Sequence, residues 1–365
     1  MPESSIQTEL INLTSELIRI PSVHSRPTEI LRCADFIADW LREHAISCQR
    51  IDQNGVPSLL VAPATSRCKV LLMSHFDVVE AEESQFTPYE EDGRLFGRGA
   101  IDDKYAVALT LILYRELRTR WNAAGKTDEE LPFGLLFTGD EESGGKDGAG
   151  HATTLVQPDY FIALDGGQPD RIITKEKGIL SLALTAHGKA AHAARPWLGE
   201  SGFDILVEDY LQLKTLFTAD NPDHWHPTLV LSNCLAGNGS TNMVPDTATA
   251  TLDIRYTEND NPEQMLAMIR KSIRSDVEVR AIEPVFASEN SPYTDLLARH
   301  SGASISFEHG ASDARFFSQI GIPGAVWGPQ GEMSQHTTRE HLVIDSLFGV
   351  YECLQNFLEE IAFTP

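Results

Sequence analysis

Apolar runs of strand length alternate with helical patterns along much of this chain, and this alternation restricts the possible folds more than any other feature. The run VLLMSHFDVV, which begins at Val70, predicts a buried strand, and LPFGLLFT and YFIALD predict two more. The segment YAVALTLILYRELRTRW, between the first two runs, predicts a helix. Because such alternation is typical of a parallel sheet covered by helices, we predict an α/β fold with a mostly parallel sheet and helices on both faces.

A different pattern occupies residues 178–286. Its segments follow the order strand, helix, strand, strand, helix, strand, which predicts an inserted α+β unit of the ferredoxin-like type. A chain of 365 residues is long enough for two domains. We therefore predict one α/β domain formed by residues 1–177 and 287–365, with a smaller domain of residues 178–286 inserted in it.

The composition argues against several classes of partner and site. The chain has 53 acidic and 29 basic residues and a net charge of −24, which disfavours nucleic acid and anionic membranes, because binding them requires Lys and Arg. The five cysteines form no CxxC pair, so neither a disulfide framework nor a cysteine-ligated zinc site is expected. The N-terminal segment does not resemble a signal peptide, and no apolar run is as long as a membrane span, so we expect a cytoplasmic location.

Side chains that can bind metal ions follow the predicted strands. His75 and Asp77 point to the same side of their strand, and the Asp77 carboxylate can hold the second ring nitrogen of a metal-binding His75. Glu141 and Glu142 face different directions, so one can bind a metal ion while the other handles a proton. Because parallel strands end at one edge of a sheet, we expect four groups to converge there: His75 with Asp77, Asp102 with Asp103, Glu141 with Glu142, and Asp165.

Each group has a simpler interpretation when it is taken alone. An HxD sequence can belong to a surface loop, and the adjacent Glu141 and Glu142 can mark a helix N-terminus. Asp165 suits a turn, and His336 can be an incidental loop residue. Together, however, converging carboxylates repel one another unless a cation lies between them. Nitrogen and oxygen ligands without sulfur suit Zn²⁺, with Co²⁺ or Mn²⁺ possible, and this many ligands suit two ions that share a bridging carboxylate.

Four motifs, in this order, carry a resemblance to a known family: SHFDVV, GRGAIDDK, TGDEESGG and ALDGG. The set resembles the co-catalytic dinuclear zinc hydrolases, which include carboxypeptidase G, aminoacylase, acetylornithine deacetylase, succinyl-diaminopimelate desuccinylase and carnosinase. The resemblance covers nearly the whole chain, including the inserted segment. It implies two zinc ions per chain.

The resemblance also implies which residues hold these ions. His75 and Asp165 would bind one zinc ion, and Glu142 and His336 would bind the other. Asp102 would bridge the two ions, and in the family the peptide bond that follows it is typically cis.

Further roles follow from the same resemblance. Asp77 would orient the first histidine, and Glu141 would be the general base and acid for the attacking water. His336 is chosen over His341 and His309 on looser local similarity, and a lone histidine in such a loop is weak support by itself.

Segments of the inserted domain match the family as well. GKAAHAARP implies that His192 reaches the active site of a partner subunit and stabilises the oxyanion there. GSTNMVP and DIRY imply that Asn242 binds substrate and that Arg255 grips a carboxylate. The alternatives are that Arg255 pairs with a strand acid such as Asp253 and that His192 is an ordinary turn residue.

Two positions remain open in function. HGASDARFF resembles a family loop near the substrate carboxylate, so Asp313 and Arg315 can be either structural or substrate-binding. Tyr105 departs from the family, which usually has Gly after DDK, and it can either fill space or narrow the pocket.

The residues and the resemblance together predict a metal-dependent hydrolase that cleaves a peptide or N-acyl amide bond next to a free carboxylate. The substrate would be a small peptide or an N-acyl amino acid, and exopeptidase, dipeptidase and deacylase activities are all compatible. A homodimer through the inserted lid domain is implied. The alternatives are a dinuclear-metal hydrolase of another ester class and a non-catalytic binding protein that kept its metals, which an intact Glu141 disfavours.

Overall fold

This computed structural model describes residues 3–166 and 168–363, and the chain divides into two units. Gly167, the last residue of the ALDGG motif, lies outside the described residues. The first unit contains Met1–Thr174, Ser288–Phe307 and Ser312–Pro365, and the second contains Lys175–Ala287 and Glu308–Ala311. The predicted inserted domain, residues 178–286, falls within the main segment of the second unit.

The helices and strands alternate through most of the first unit. The helices are α1 (Glu3–Ile18), α2 (Pro27–Glu43), α3 (Lys104–Ala123), α4 (Ala149–Ala152), α5 (Gly202–Lys214), α6 (Pro262–Ser272), α7 (Pro292–Ser301), α8 (Ala314–Gln319) and α9 (Ile344–Phe363). The strands are β1 (Gln49–Gln53), β2 (Val56–Val61), β3 (Arg67–His75), β4 (Tyr89–Glu91), β5 (Arg94–Phe96), β6 (Phe133–Thr138), β7 (Gln157–Ala163), β8 (Arg171–Glu176), β9 (Gly178–His187), β10 (Ala191–His192), β11 (Thr228–Ala236), β12 (Met243–Val244), β13 (Thr247–Tyr256), β14 (Asp276–Glu283), β15 (Phe286–Ala287), β16 (Ser304–Glu308), β17 (Gly324–Val326) and β18 (His341–Val343).

The large sheet is mixed, so the prediction of a mostly parallel sheet is wrong in its extent. Its strand order is β1-β2-β6-β3-β7-β17-β8-β15, and β16 also pairs with β8. The neighbours β6, β3, β7 and β17 are parallel, whereas β1, β2 and β8 pair with antiparallel neighbours. The parallel strands are those that the helical segments connect, which is why the alternation was informative only for the centre of the sheet.

A two-residue turn explains the antiparallel edge. β1 and β2 are joined by Asn54 and Gly55, whose φ angles are 50° and 86°. A tight hairpin of this kind requires positive φ at both central residues, and Asn-Gly is the preferred pair. This dipeptide was therefore a hairpin signal in the sequence.

Burial of β6 shows that both faces of the sheet are covered at its centre. All residues of β6 are buried, including the alternating Phe133, Leu135 and Phe137 on one face and Leu136 on the other. Helix α3 contacts β3, α2 contacts β2, and α8 contacts β7 and β17. A strand that is buried on both faces reads as a continuous apolar run, as LPFGLLFT does.

The second unit is built on a four-stranded antiparallel sheet in the order β11-β13-β9-β14. Buried and part-buried residues alternate along β9 and β13, as expected for a sheet with one covered face. Leu180, Leu182 and Leu184 of β9 belong to an apolar core that includes Ile205 of α5 and Ile269 of α6. The roles of this unit as a lid and in dimerisation stay predictions.

None of the described helices is both long and apolar enough to cross a membrane. The cytoplasmic location stays a prediction.

Candidate metal centre

The ends of the parallel strands bring three predicted groups to one edge of the first unit. His75, the last residue of β3, is in register with Thr138, the last residue of β6, and Met73 is in register with Ala163 of β7. Glu141 and Glu142 follow β6, and Asp165 follows β7, each within a few residues. Parallel neighbours therefore place the histidine and these acids at a common edge, where α/β sheets bind ligands.

Asp102 and Asp103 reach the same place by another route. They do not follow a strand, so their predicted position at a strand end is wrong. Asp103 directly precedes α3, and the Asp102–Asp103 peptide bond is cis. Carboxylates are favourable at a helix N-terminus because of the helix dipole, which makes an acidic pair at the start of a helix the simpler interpretation of GRGAIDDK.

Asp102 lies between two histidines. Its Oδ1 is 3.0 Å from Nε2 of His75, and its Oδ2 is 3.0 Å from Nε2 of His336. Oδ1 of Asp165 lies 3.9 Å from the same nitrogen of His75, and Oε2 of Glu142 lies 3.4 Å from that of His336. The structure therefore contains two sets of potential metal ligands that share one carboxylate.

The donor atoms of these sets fit metal ions. Nε2 of His75 and Oε1 of Glu142 are buried, and neither has a hydrogen bond of acceptable geometry within the described part of the chain. A buried imidazole nitrogen that faces carboxylates without such a bond suits a metal ligand. The sets contain imidazole nitrogen and carboxylate oxygen but no sulfur, which suits Zn²⁺ and related divalent ions.

Asp77 connects one ligand set to the loop that carries the two glutamates. Its Oδ1 and Oδ2 accept hydrogen bonds from the backbone N–H groups of Glu141 (3.1 Å) and Glu142 (3.0 Å). Nδ1 of His75 lies 3.5 Å from the Asp77 carboxylate and 3.0 Å from its backbone carbonyl, which accepts its hydrogen bond. Asp77 thus contacts His75 as the resemblance implied, and it also holds the glutamate loop, which sequence reasoning missed.

Charges in this cluster change the proton affinity of its members. Burial alone lowers the pKa of His75, but hydrogen bonds with Asp102, Asp165 and Asp77 raise it well above its ordinary value. Burial, together with the negative charge of Asp165, raises the pKa of Glu141 well above that of an ordinary glutamate. A carboxyl with a raised pKa beside potential metal ligands is typical of a catalytic acid or base.

Comparison with known proteins decides the family. The sequence profile of Peptidase family M20/M25/M40 matches residues 71–360. The chain belongs to this family. A succinyl-diaminopimelate desuccinylase from Bordetella avium is 26% identical and the match covers 96% of this chain and 98% of the relative; one from Xanthomonas campestris pv. campestris is 25% identical over 97% and 99%.

Solved structures share the fold of this M20 family member. Aminopeptidase PepT from Bacillus cereus has a TM-score of 0.77 at 20% identity, covering 98% of this chain and 99% of its own. The M20 family metallo-carboxypeptidase Sso-CP2 from Sulfolobus solfataricus has a TM-score of 0.79 at 16% identity, covering 97% and 99%. The resemblance to the co-catalytic dinuclear zinc hydrolases is therefore confirmed, and the protein is a metal-dependent hydrolase of peptide or N-acyl amide bonds.

The other histidines considered for the M20 ligand set lie elsewhere. Nε2 of His341 contacts Oε2 of Glu332 at 2.9 Å, and its Nδ1 contacts the carbonyl of Arg339. The ring of His309, a residue of the second unit, lies 6.1 Å from that of Trp225. Of the three histidines, His336 is the one that belongs to a potential ligand set.

Tyr105, where the family usually has Gly, is fully buried. Its hydroxyl donates a hydrogen bond to the carbonyl of Leu164, the residue immediately before Asp165. The side chain therefore fills space under the site and holds the strand end that presents Asp165, rather than facing a pocket.

Arg315 and Asp313 support the loop that carries the glutamates. Arg315 donates to the carbonyl of Gly144 at 2.9 Å and to that of Ser312 at 2.6 Å, and its side chain is buried. Burial raises the pKa of Asp313 to about 7, and its Oδ2 accepts a long hydrogen bond from Thr138. These contacts favour the structural interpretation of the pair.

The second unit brings two of its three predicted residues together. β10 pairs with β12, and the N–H of Ala193 donates to the carbonyl of Asn242 at 2.8 Å, so His192 and Asn242 lie in one small hairpin and both are exposed. Arg255 is on β13, where its guanidinium makes two hydrogen bonds to Asp253, at 2.8 and 3.2 Å. The pairing of Arg255 with a strand acid is thus the arrangement observed.

Proposed function

We propose that this M20 family member is a zinc-dependent hydrolase that cleaves a peptide or N-acyl amide bond next to a free carboxylate. His75 and Asp165 would hold one Zn²⁺, Glu142 and His336 the other, and Asp102 would bridge them, with Co²⁺ or Mn²⁺ able to replace zinc. The observation that carries the proposal is the position of Asp102, whose two oxygens each lie 3.0 Å from a different histidine nitrogen. One carboxylate between two imidazoles suits a pair of ions with a shared ligand.

The ions, when bound, would polarise the substrate carbonyl and lower the pKa of a water molecule. Glu141 acts as the general base that takes a proton from the attacking water, and then as the acid that returns it to the leaving nitrogen. Its raised pKa supports this role, because such a carboxylate accepts a proton more readily. Asp77 keeps Glu141 in place through the backbone N–H group of that residue.

In the second unit we assign substrate contacts to His192, Asn242 and Arg255. His192 would donate to the oxyanion that forms during attack, acting in the site of a partner subunit. The position of Asn242 in the same hairpin supports a shared role for the two residues. The forked guanidinium of Arg255 suits a substrate carboxylate, which would replace Asp253 as its partner.

The surface of the second unit supports a homodimer. Phe203, Val207 and Leu211 are exposed at every fourth position of α5, and β11 pairs on one side, with β13, within the described residues. An apolar helical stripe and an unpaired strand edge are features that a second copy of the chain can cover.

Sedimentation velocity tests this dimer. Leu211→Asp is expected to give monomers, and Ile320→Asp, which changes an equally exposed residue of the first unit, is expected to leave the dimer intact. A wild-type protein that sediments as a monomer at micromolar concentration would contradict the dimer.

A substrate panel tests the activity. Metal-loaded protein is incubated with dipeptides and N-acyl amino acids, including N-succinyl amino acids because the desuccinylases match this chain over nearly their whole length. Chelated protein and Glu141→Ala serve as controls, and phosphate esters test the alternative ester class. We expect turnover of at least one amide substrate and loss of that turnover in both controls.

Two outcomes would change the assignment. Turnover of phosphate esters alone would favour the other ester class. Absence of turnover in a sample that holds two metal ions per chain would favour a binding role for the site.

A further inference from the structure

The loop that carries His336 depends on contacts outside itself. Residues 327–340, all of them described, run from β17 to β18 through turns and contain neither a helix nor a strand. His336 has a left-handed φ of 61°, which is unusual for a residue with a side chain, and its side chain is half exposed. Because the proposed function requires this histidine beside Asp102, the contacts that hold the loop are important for the site.

Glu340 closes the loop and binds the segment that leads to Asp102. Its Oε1 accepts hydrogen bonds from the backbone N–H groups of Gly99 (2.8 Å) and Ile101 (3.4 Å). Its Oε2 accepts a hydrogen bond from the guanidinium of Arg98. One carboxylate therefore joins the end of the loop to the residues immediately before the bridging aspartate.

Arg98 contacts the same loop at a second point. Its Nη2 donates to the carbonyl of Thr337, the residue after His336, at 3.4 Å, and Nε2 of Gln85 donates to that carbonyl at 3.0 Å. Arg98 is 3% exposed and Glu340 is 1% exposed. Because a buried ion pair with additional hydrogen bonds has few alternative arrangements, the pair holds both ends of the histidine segment in one position.

We propose that Arg98 and Glu340 are positioning residues for the metal centre, which fix the separation between Asp102 and His336. Neither residue belongs to the two potential ligand sets, so both act through the backbone of the loops that they join. The inference rests on the proposed function, because it presupposes that these loops hold a metal ion.

The two ligand sets should respond differently when this pair is lost. His75 and Asp165 follow or end strands β3 and β7, whereas His336 stands on the loop that Glu340 closes. Loss of a residue that orients a ligand typically weakens metal binding by about 10- to 100-fold. We therefore expect one unchanged and one weakened site, whereas a general loss of folding would weaken both.

Glu340→Gln tests the inference, with Glu332→Gln as the matched control. Glu332 joins the same loop to β5 by two hydrogen bonds from Arg94, at 3.0 and 2.8 Å, but this pair is exposed. Metal-free protein is titrated with Zn²⁺ by calorimetry, in competition with a chelator of known affinity. Wild type and Glu332→Gln are expected to bind two ions with equal affinities, and Glu340→Gln is expected to bind the second ion about 10- to 100-fold more weakly.

Arg98→Lys is the second variant, since it keeps the charge but loses the fork that reaches Thr337, and circular dichroism checks the folding of each protein. If Glu340→Gln and Arg98→Lys bind both ions as tightly as wild type, the inference is wrong and the proposed function stands. A wild-type protein that binds fewer than two ions would contradict the proposed function itself. Failure of both variants to fold would also overturn the inference, because the pair would then maintain the whole unit rather than one separation.

Discussion

Replacing Tyr105 with Phe removes one hydrogen bond beside the metal centre. Tyr105 is fully buried on α3, and its hydroxyl donates to the carbonyl of Leu164, one residue before Asp165. The substitution keeps the ring but takes this donor away from the carbonyl. A buried acceptor without a partner costs about 1–3 kcal/mol, so the free energy of unfolding is expected to fall by that amount.

Tyr351→Phe is the matched control, with an effect of opposite or zero sign. Tyr351 is also buried, on α9, but its hydroxyl has no hydrogen-bond partner among the described residues. Burying a hydroxyl without a partner costs roughly 1–3 kcal/mol, so its removal is expected to leave the free energy of unfolding unchanged or to raise it by up to that amount.

Thermal unfolding of the metal-free proteins measures both changes. About 1 kcal/mol shifts Tm by roughly 2–4 °C for a unit of 150–250 residues, so Tyr105→Phe is expected to melt roughly 2–12 °C below wild type. Tyr351→Phe is expected to melt at or above the wild-type temperature. Equal Tm values for the two variants, or a lower Tm for Tyr351→Phe alone, would refute the reasoning.

Three further changes have defined outcomes. Asp77→Asn leaves one acceptor oxygen for two backbone N–H groups, so kcat/KM should fall by about 10- to 100-fold, the equivalent of a lost hydrogen bond to a charged group; an unchanged value would show that this carboxylate is not needed. Burial raises the pKa of the Cys68 and Cys353 thiols to about 12, which leaves little thiolate, so iodoacetamide at pH 8 should modify the exposed Cys234 first in a peptide mass map; early modification of a buried thiol would contradict this. Chelation should lower Tm, because an ion present at 100 times its Kd adds about 2.7 kcal/mol to the folded state, and an unchanged Tm would count against the metal centre.

The sequence predicts the parts of the site that depend on regular structure. His75 and Asp165 follow neighbouring parallel strands, so their meeting could be inferred from strand patterns alone. Asp102 was placed at a strand end because it precedes a helix without an obvious strand signal, and helix starts and strand ends lie at the same edge of such a sheet. The antiparallel β1–β2 pair was missed although Asn54 and Gly55 mark its turn.

Residues that act through distant contacts left no local pattern. Arg98 and Glu340 are 242 positions apart, and neither is unusual among its neighbours in the sequence. The bonds from Asp77 to the glutamate loop are likewise visible only in three dimensions, because they join backbone groups 64 and 65 positions away. Side-chain contacts to a backbone depend on the fold as a whole, so residue type and spacing cannot reveal them.

The contacts of Asp77 have a consequence for how this enzyme can change over evolution. One carboxylate touches the ligand His75 and also the N–H groups that place Glu141 and Glu142, so a substitution that moves it alters the metal ligand and the proton acceptor together. Mutations here are therefore not independent, and the hydrolytic machinery is inherited as a block. New substrate preferences have to arise at residues that this block does not constrain.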